Sequence, residues 1–414
     1  MAETVDVAVV GAGVVGCSVA YYLASRGVNV HLYEKEAIGS GASAHATGSL
    51  SLLGAEFSPG PSFQLALAGY REFPSLVPEL EEATGMDLLY QRRPSLRLAL
   101  DEEEETFIKS VMPWQQQHVA MKWIDGGEVR RVEPRLTERV RGAVYEEESA
   151  QLDSYRLNLA LAQAAEKKGA ELRIREVLGL TVQTSAAQAS ARNPVGNPRV
   201  TGIRTSDGEI SCHAVVLAAG VWSANLGKQL GLQVPVRPFK GERLLLRYAG
   251  EPLPVLISSP KRGHMISRLD GLLSVGSTGG RDYDQRESHL DTAEDHQPTD
   301  SARMELLGRA VDVFPGLADA ELVQQLAGSR PLSADGKPIM GPIPGWEGVY
   351  LATGHGTKGI HLGPITGRII ADYVMHGVPQ GSVEWKDSMN DFLPSRFLDI
   401  QSPDFTASRL RAEE

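Results

Sequence analysis

Cysteine is scarce in this chain, with Cys17 and Cys212 the two occurrences in 414 residues. A disulfide framework is thereby improbable, and Cys17, inside the first helix, and Cys212, beside a strand, both read as small apolar residues. Positive charge is not in excess either. The 41 Lys and Arg face 52 Asp and Glu, a net charge of −11, which argues against a nucleic-acid-binding surface and for a self-repelling soluble particle. No apolar run approaches the roughly 18 residues that a membrane helix needs. The opening Met1-Ala-Glu-Thr-Val runs straight into a strand without a basic stretch leading to an apolar segment, so no secretory signal is expected and the cytoplasm is the default location. There is no internal repeat and no Cys/His cluster with zinc spacing. The acidic run Asp101 to Glu105 invites a metal reading, but acids at a helix start complement the dipole and are expected simply to face water. No metal is expected.

What the chain does have is an ordinary globular composition, 42% hydrophobic and 22% charged, over a length too great for one ordinary core. Two intertwined domains are expected. A strand at Val5 to Val10, a helix at Val14 to Arg26 ended by Gly27, and a strand at Val28 to Tyr33 make a strand-helix-strand unit. Helical periodicity returns at Phe63 to Thr84, after Asp101, and from Ser154 to Lys168, where Leu157, Leu159, Leu161, Ala164 and Ala165 supply much of an apolar face. Strand-like runs dominate Arg237 to Gly276, with Asp270-Gly271 as a hairpin turn between Met265-Ile266 and Leu272-Leu273. This change of rhythm predicts an antiparallel sheet inserted into a parallel α/β scaffold. Ser185 to Arg199 and Asp282 to Asp300 read as surface loops.

Two glycine signatures carry the chemistry. In Gly11-x-Gly13-x-x-Gly16, between a strand and a helix, Gly11 permits a tight turn, Gly13 lets backbone approach a pyrophosphate, and Gly16 lets the helix pack on the strand. The helix start then faces the phosphates. Glu34 ends the second strand, 18 residues beyond Gly16, where it accepts hydrogen bonds from a ribose diol and repels a 2′-phosphate. A purely structural turn with an exposed Glu is the plainer alternative. The run Ile38-Gly-Ser-Gly-Ala-Ser-Ala-His-Ala-Thr-Gly48 follows directly, and its small side chains and free backbone donors suit a pyrophosphate and a flat ring, favouring FAD over NAD. Val215-Val-Leu-Ala-Ala-Gly-Val-Trp-Ser223 ends a strand in small residues, Ala219 and Gly220 before Trp222, where another backbone segment can approach the cofactor. The second signature, Gly354-His355-Gly356-Thr357-Lys358-Gly359-Ile360, lies near the other end of the chain.

At this point the chain resembles the D-amino-acid oxidase superfamily of FAD-dependent flavoproteins, and within it the glycine oxidase and sarcosine oxidase branch. The resemblance runs from about Val5 to about Val374 and rests on the Gly11 motif, Ala46-Thr-Gly48, Val215 to Ser223, Gly328-Ser-Arg-Pro331 with Asp335-Gly-Lys-Pro338, and Gly354 to Gly367, in that order. It implies a Rossmann-like FAD-binding domain over 1–90, 146–235 and 328–376, an inserted antiparallel-sheet substrate domain over 91–145 and 236–327, and a C-terminal tail over 377–414. By the same resemblance Val14, Val15, Glu34, Lys35, Ala42, Ser43, Thr47, Gly48 and Ser49 line the FAD, Val177 meets the adenine end through its backbone, and His355 to His361 wrap the pyrimidine edge of the flavin. Lys358 then has an electrostatic role toward reduced flavin, with a solvated surface lysine as its rival reading.

Arg330, in the Gly-x-Arg-Pro segment, matches the arginine that binds the substrate carboxylate in glycine oxidases, a task that suits a guanidinium fork; a structural ion pair is its rival. Lys358 matches a lysine that grips carboxylate in the sarcosine oxidases. The departures are informative. His264 stands where glycine oxidases have a substrate-facing tyrosine, and Thr357 where they have a second arginine, which puts glycine itself in doubt as substrate. His264 as an ordinary sheet histidine remains the alternative. His45 lies in a stretch that also resembles dimethylglycine and sarcosine dehydrogenases, whose histidine, lacking in glycine oxidases, bonds covalently to flavin; a noncovalent histidine beside the ring is the alternative. The cysteine that tethers flavin in monomeric sarcosine oxidases has no counterpart near Ser329 to Pro331.

The activity implied is oxidation of the C–N bond of a small or N-methylated amino acid, glycine, sarcosine or D-amino acid in type, to an imine that water hydrolyses, with O2 reoxidising the flavin to give H2O2. Three alternatives stand beside it: a 2-hydroxy-acid oxidoreductase using His264 or His355 as base, a flavin subunit of an amine dehydrogenase passing electrons to another acceptor, and a dinucleotide-binding module without catalysis. A homo-oligomer is a further implication of the family.

Overall fold

The computed structural model describes residues 4–52, 57, 59–183, 198–229, 232–278, 292–380 and 383–397. Most of the loop expected at 185–199 and part of that at 282–300 lie outside the described residues. In chain order the first elements are β1 (Thr4–Val10), α1 (Val14–Ala24), β2 (Val30–Glu34), α2 (Pro61–Thr84), β3 (Gln91–Ala99), α3 (Glu102–Gln115), β4 (Met121–Asp125), α4 (Gly126–Val132), β5 (Gly142–Gln151) and α5 (Ser154–Lys167). There follow β6 (Glu171–Ile174), β7 (Val177–Gln183), β8 (Arg199–Thr205), β9 (Gly208–Leu217), α6 (Ser223–Gln229), β10 (Val236–Arg247), β11 (Leu256–Ser259), β12 (Gly263–Ser267) and β13 (Leu273–Gly276). The last are α7 (Asp300–Val313), β14 (Glu321–Ser333), β15 (Ile339–Pro342), β16 (Val349–Thr353) and α8 (Gly359–His376).

The first sheet has the order β15-β16-β9-β1-β2-β6, with β8 joined to β9 and β7 to β8. Its centre is parallel, Val7 opposite Val30 on β2 and Val9 opposite Val216 on β9. The apolar runs of β1 and β9 are what a strand covered on both faces requires. One face packs on α1, α2, α5 and α8 in a core that includes Val7, Val9, Leu161 and Ile369, and the other on Val177, Ile203 and Val234. Helix α1 is buried almost all round, as its nearly unbroken apolar sequence demands. Close approach of α8 to α1 depends on two glycines of the C-terminal signature: a Cβ on Gly363 would sit 2.9 Å from a Val14 methyl, and one on Gly367 would collide with Ser18.

The second sheet runs β14-β10-β13-β12-β11-β3-β5-β4 and is antiparallel except where β11 meets β3. Its back buries Leu244, Leu246, Met265 and Val275 against Leu306 and Ala310 of α7. Alternation along each strand therefore turns Arg243, His264 and Ser274 the other way, toward the first sheet. Strands β5 and β14 each cross one of the expected segment limits, at 145 and 327. The hairpin at Asp270-Gly271 forms as expected, Gly271 taking φ +82° and Ser267 pairing with Leu273.

The acidic run at 101–105 departs from its reading as a water-facing patch. Asp101 caps α3 by accepting from the Glu104 N–H, but Glu104 itself is buried. Its carboxylate accepts from the Leu100 and Lys261 N–H groups and the Ser259 hydroxyl, and pairs with Arg262 at 2.7 Å. The run ties the helix to the loop after β11, a contact 155 residues away in sequence that local pattern does not announce.

Candidate cofactor and substrate site

A cavity of about 430 Å³ lies between the two sheets, at the carboxyl ends of β1, β2 and β9. This is the crevice that open α/β sheets use for ligands. At one end β1 hands over to α1 through Gly11, at φ +103°, where a Cβ would lie 2.6 Å from the Ala218 carbonyl oxygen. The α1 N-cap, Gly13, has no capping side chain. The Val14 N–H donates to Ser43 Oγ at 2.9 Å, and the next N–H groups of the first turn have no carbonyl to bond within the helix. Glu34 Oε2 accepts from the Ala12 N–H at 2.8 Å, which fixes the carboxylate at the end of β2 beside that turn. Lys35 Nζ stands 4.2 Å over the Trp222 ring.

Most of the expected residues share this wall. Gly11, Gly13, Val14, Val15, Glu34, Lys35, Ala42, Ser43, His45, Thr47, Ser49, Val177, Ala219, Gly220, Trp222, His264, Arg330, His355, Gly356, Thr357, Gly359 and Ile360 all line the cavity. Four others stand behind it. The missing side chains of Gly16 and Gly48 admit the Gly11 and Leu152 carbonyls, and Gly354, at φ +77°, packs on Ser333 and Ile339. Lys358 holds its ammonium 5.2 Å over the Phe57 ring, while its neighbours His355, Gly356, Thr357, Gly359 and Ile360 line the cavity.

The far end is built by side chains from the second sheet. Arg330 on β14 lies across Gly241 of β10, where a Cβ would collide with the guanidinium. Its Nη1 and Nη2 donate to the Thr278 carbonyl at 3.1 Å, and Nη2 donates to Ser277 Oγ at 2.9 Å. His264 is buried, its Nε2 without a hydrogen-bond partner, and burial, then Arg243 and Arg330, push its pKa down to about 4. His355 donates to or accepts from Thr366 Oγ1 at 3.0 Å and is likewise held near 4 by burial. His45 packs against Gly328, its buried Nδ1 lacks a partner, and burial followed by His296 lowers its pKa. Three neutral imidazoles thus face or flank a cavity that carries guanidinium charge.

Local motifs did not point to Arg243, Ser95, Ser258 or Ser277, which also line the cavity. Arg243 sits mid-strand in Glu-Arg-Leu-Leu-Leu, and only its odd-numbered place on the same face as Gly241 hints at the site. Behind Ser95, Glu146 is buried and accepts from the hydroxyls of Ser51, Ser95 and Ser149, and burial raises its pKa.

The geometry fits a bound dinucleotide: a glycine-capped helix start whose first turn has N–H groups without intrahelical partners, a carboxylate beside it for a ribose, a wall of small residues, and buried unpartnered imidazole nitrogens. Comparison with known proteins agrees. The chain belongs to the FAD-dependent oxidoreductase family, whose model, described as "FAD dependent oxidoreductase", matches residues 6–373. It is similar to the glycine oxidase of Geobacillus kaustophilus (strain HTA426), 34% identical over 382 residues that cover 90% of this chain and 94% of that protein. The crystal structure of glycine oxidase from Geobacillus kaustophilus superimposes with a TM-score of 0.80 at 32% identity, covering 92% of this chain and 96% of that one. The iminodiacetate oxidase structure from Chelativorans sp. BNC1 gives 0.78 at 26% identity, covering 91% and 96%. FAD is the cofactor of this chain, and its fold is that of these flavoproteins. Among the described residues no helix is long and apolar enough to cross a membrane.

Proposed function

We propose that this chain oxidises the C–N bond of a small amino acid or N-substituted amino acid, as its glycine oxidase and iminodiacetate oxidase relatives are named for doing. The observation that carries the reading is Arg330, a guanidinium on the wall of the same cavity that the Gly11 turn and Glu34 enter from the other side. Bound FAD supplies the acceptor for a hydride from the carbon beside nitrogen. The protein residues position and shield. Arg330 holds the substrate carboxylate in a charge-assisted contact, its own orientation fixed by Thr278 and Ser277. His264, neutral and buried, packs beside the substrate without protonating its amine, and a free amine lone pair is what the reaction needs. The start of α8 turns backbone N–H groups toward the wall near Gly356 and Thr357, where negative charge is favoured. Water then adds to the released imine, giving an oxo acid and an amine. Dioxygen as final acceptor, with H2O2 as product, belongs to the same proposal.

A second reading has one observation in its favour. The unpartnered, neutral Nε2 of His264 suits the proton acceptor that oxidation of a 2-hydroxy acid requires. Anaerobic visible spectra of the purified protein, before and after glycine, sarcosine, D-amino acids and 2-hydroxy acids, separate the two. Bleaching of the flavin bands by amines is expected. Bleaching by hydroxy acids alone would move the chemistry to the alcohol branch.

A further inference from the structure

Arg243 is a guanidinium of the site with no task in the proposed reaction, and unlike Arg175, which also lines the cavity and pairs with Asp207, it has no acid partner among the described residues. It is 4% exposed, lines the cavity, and among the described residues no carboxylate lies within ion-pair distance of it. Its Nη1 donates to Ser274 Oγ at 3.1 Å, while its Nε is buried without a partner. The acids whose charge reaches it are Asp153 and Asp270, and both are bound by Arg268, at 2.6 and 2.7 Å. An arginine this buried is costly to keep charged unless something anionic comes to it.

Register explains where it points. Arg243 on β10 pairs with Gly276 on β13, and Gly276 pairs with His264 on β12. Since Gly276 has no side chain, Arg243 and His264 close over it; a Cβ there would lie 3.0 Å from Arg243 Cβ and 3.2 Å from His264 Nε2. Arg330 lies over Gly241, the next residue on the same face of β10. The far end of the cavity therefore offers two guanidiniums and a neutral imidazole, and Arg243 and Arg330 both act on that imidazole. One substrate carboxylate occupies Arg330 and leaves Arg243 without a counter-charge.

We propose that Arg243 binds a second carboxylate, so that the substrates are amines bearing two acid groups, one on Arg330 and one on Arg243. The proposal rests on the amine-oxidation reading and narrows it. The reaction balances as before: the C–H bond beside nitrogen gives its hydride to FAD and the nitrogen its proton to solvent. Water then converts the imine into an oxo acid and an amino acid.

The test uses matched pairs that differ by one carboxylate. Sarcosine and iminodiacetate are compared as substrates of the holoenzyme, and methylthioacetate and thiodiacetate, which lack the oxidisable amine, are titrated against the visible flavin spectrum. The expected result is a kcat/KM at least 10-fold higher for iminodiacetate and a Kd at least 10-fold lower for thiodiacetate. In Arg243→Gln both ratios should collapse toward unity, and Arg243→Lys should restore part of them. Ratios at or below unity in the wild type, or unchanged in Arg243→Gln, overturn the proposal. Should Arg243→Gln not fold, the two wild-type ratios decide alone. Failure of the amine-oxidation reading looks different: no amine bleaches the flavin, yet the thiodiacetate titration still reports whether two carboxylates are held.

Discussion

At the Gly11 end much of the cavity wall is backbone and small side chains from the Gly11 turn, the run 40–49 and the end of β9, joined by Glu34, Lys35 and Trp222. At the Arg330 end it is charged and aromatic, with Ser95, Arg243, Ser258, His264 and Arg330 drawn from five strands of the second sheet. In the proposed function the first end holds its ligand by shape and by N–H groups that any residue could supply, provided its side chain is small enough. The second holds by particular, largely buried side chains, where each charge is strong and each removal is felt. A wall of the first kind suits a group that every relative binds, and one of the second kind can vary with the substrate.

The sharpest way to break this comparison is at Gly11. In Gly11→Ala a Cβ is forced into a positive-φ position and against the Ala218 carbonyl. Strain and overlap together predict a loss on the order of 2–5 kcal/mol in stability, with protein recovered colourless or nearly so; thermal unfolding and the ratio of flavin to protein absorbance check it. A yellow, stable variant would show that the turn does not limit cofactor binding.

Arg330→Ala should do the reverse, leaving flavin content intact while raising KM. Loss of a charge-assisted contact of about 1.5–3 kcal/mol corresponds to roughly 10- to 150-fold. Steady-state kinetics on protein of equal flavin content measures this, and an unchanged KM removes Arg330 from the substrate contact.

The smallest effect concerns protons. His264, His355 and His361 are held near pH 4 by burial, below the ordinary 6.5. The unfolded chain therefore takes up these protons first. Stability is full above about pH 6.5 and falls as pH drops toward 4. His264→Gln removes one such proton, so the slope of stability against pH in that window should flatten by up to about 1.4 kcal/mol per pH unit. Urea unfolding between pH 7 and 5 reads the slope, and the same slope in wild type and variant would mean that His264 is solvated.

Much of the scaffold was legible along the chain because its signals are local. The strand-turn-helix that begins at Val5 to Val10, the helix starts after Asp101 and at Ser154, and the Asp270-Gly271 turn each need only a few consecutive residues. Boundaries moved where longer contacts intervened. Helix α1 ends at Ala24, where the Arg26, Gly27 and Val28 N–H groups turn back onto Leu23 and Ala24, and β2 begins at Val30, after the Asn29 carbonyl that accepts from the Asp6 and Val7 N–H groups. Glu104 offered no local sign of burial, since its partners come from residues 259–262.

By itself the amino-acid sequence determined the dinucleotide turn, the parallel unit around it and the family to which the chain belongs, since those depend on residue size and spacing within short segments. Only the tertiary structure decided that Arg243, Gly276 and His264 form one row beside Arg330, and that Lys358 lies over Phe57 behind the wall. Strand register across β14, β10, β13 and β12 brings together residues scattered over 88 positions, from 243 to 330, and no spacing along the chain encodes which of them share a face of the cavity.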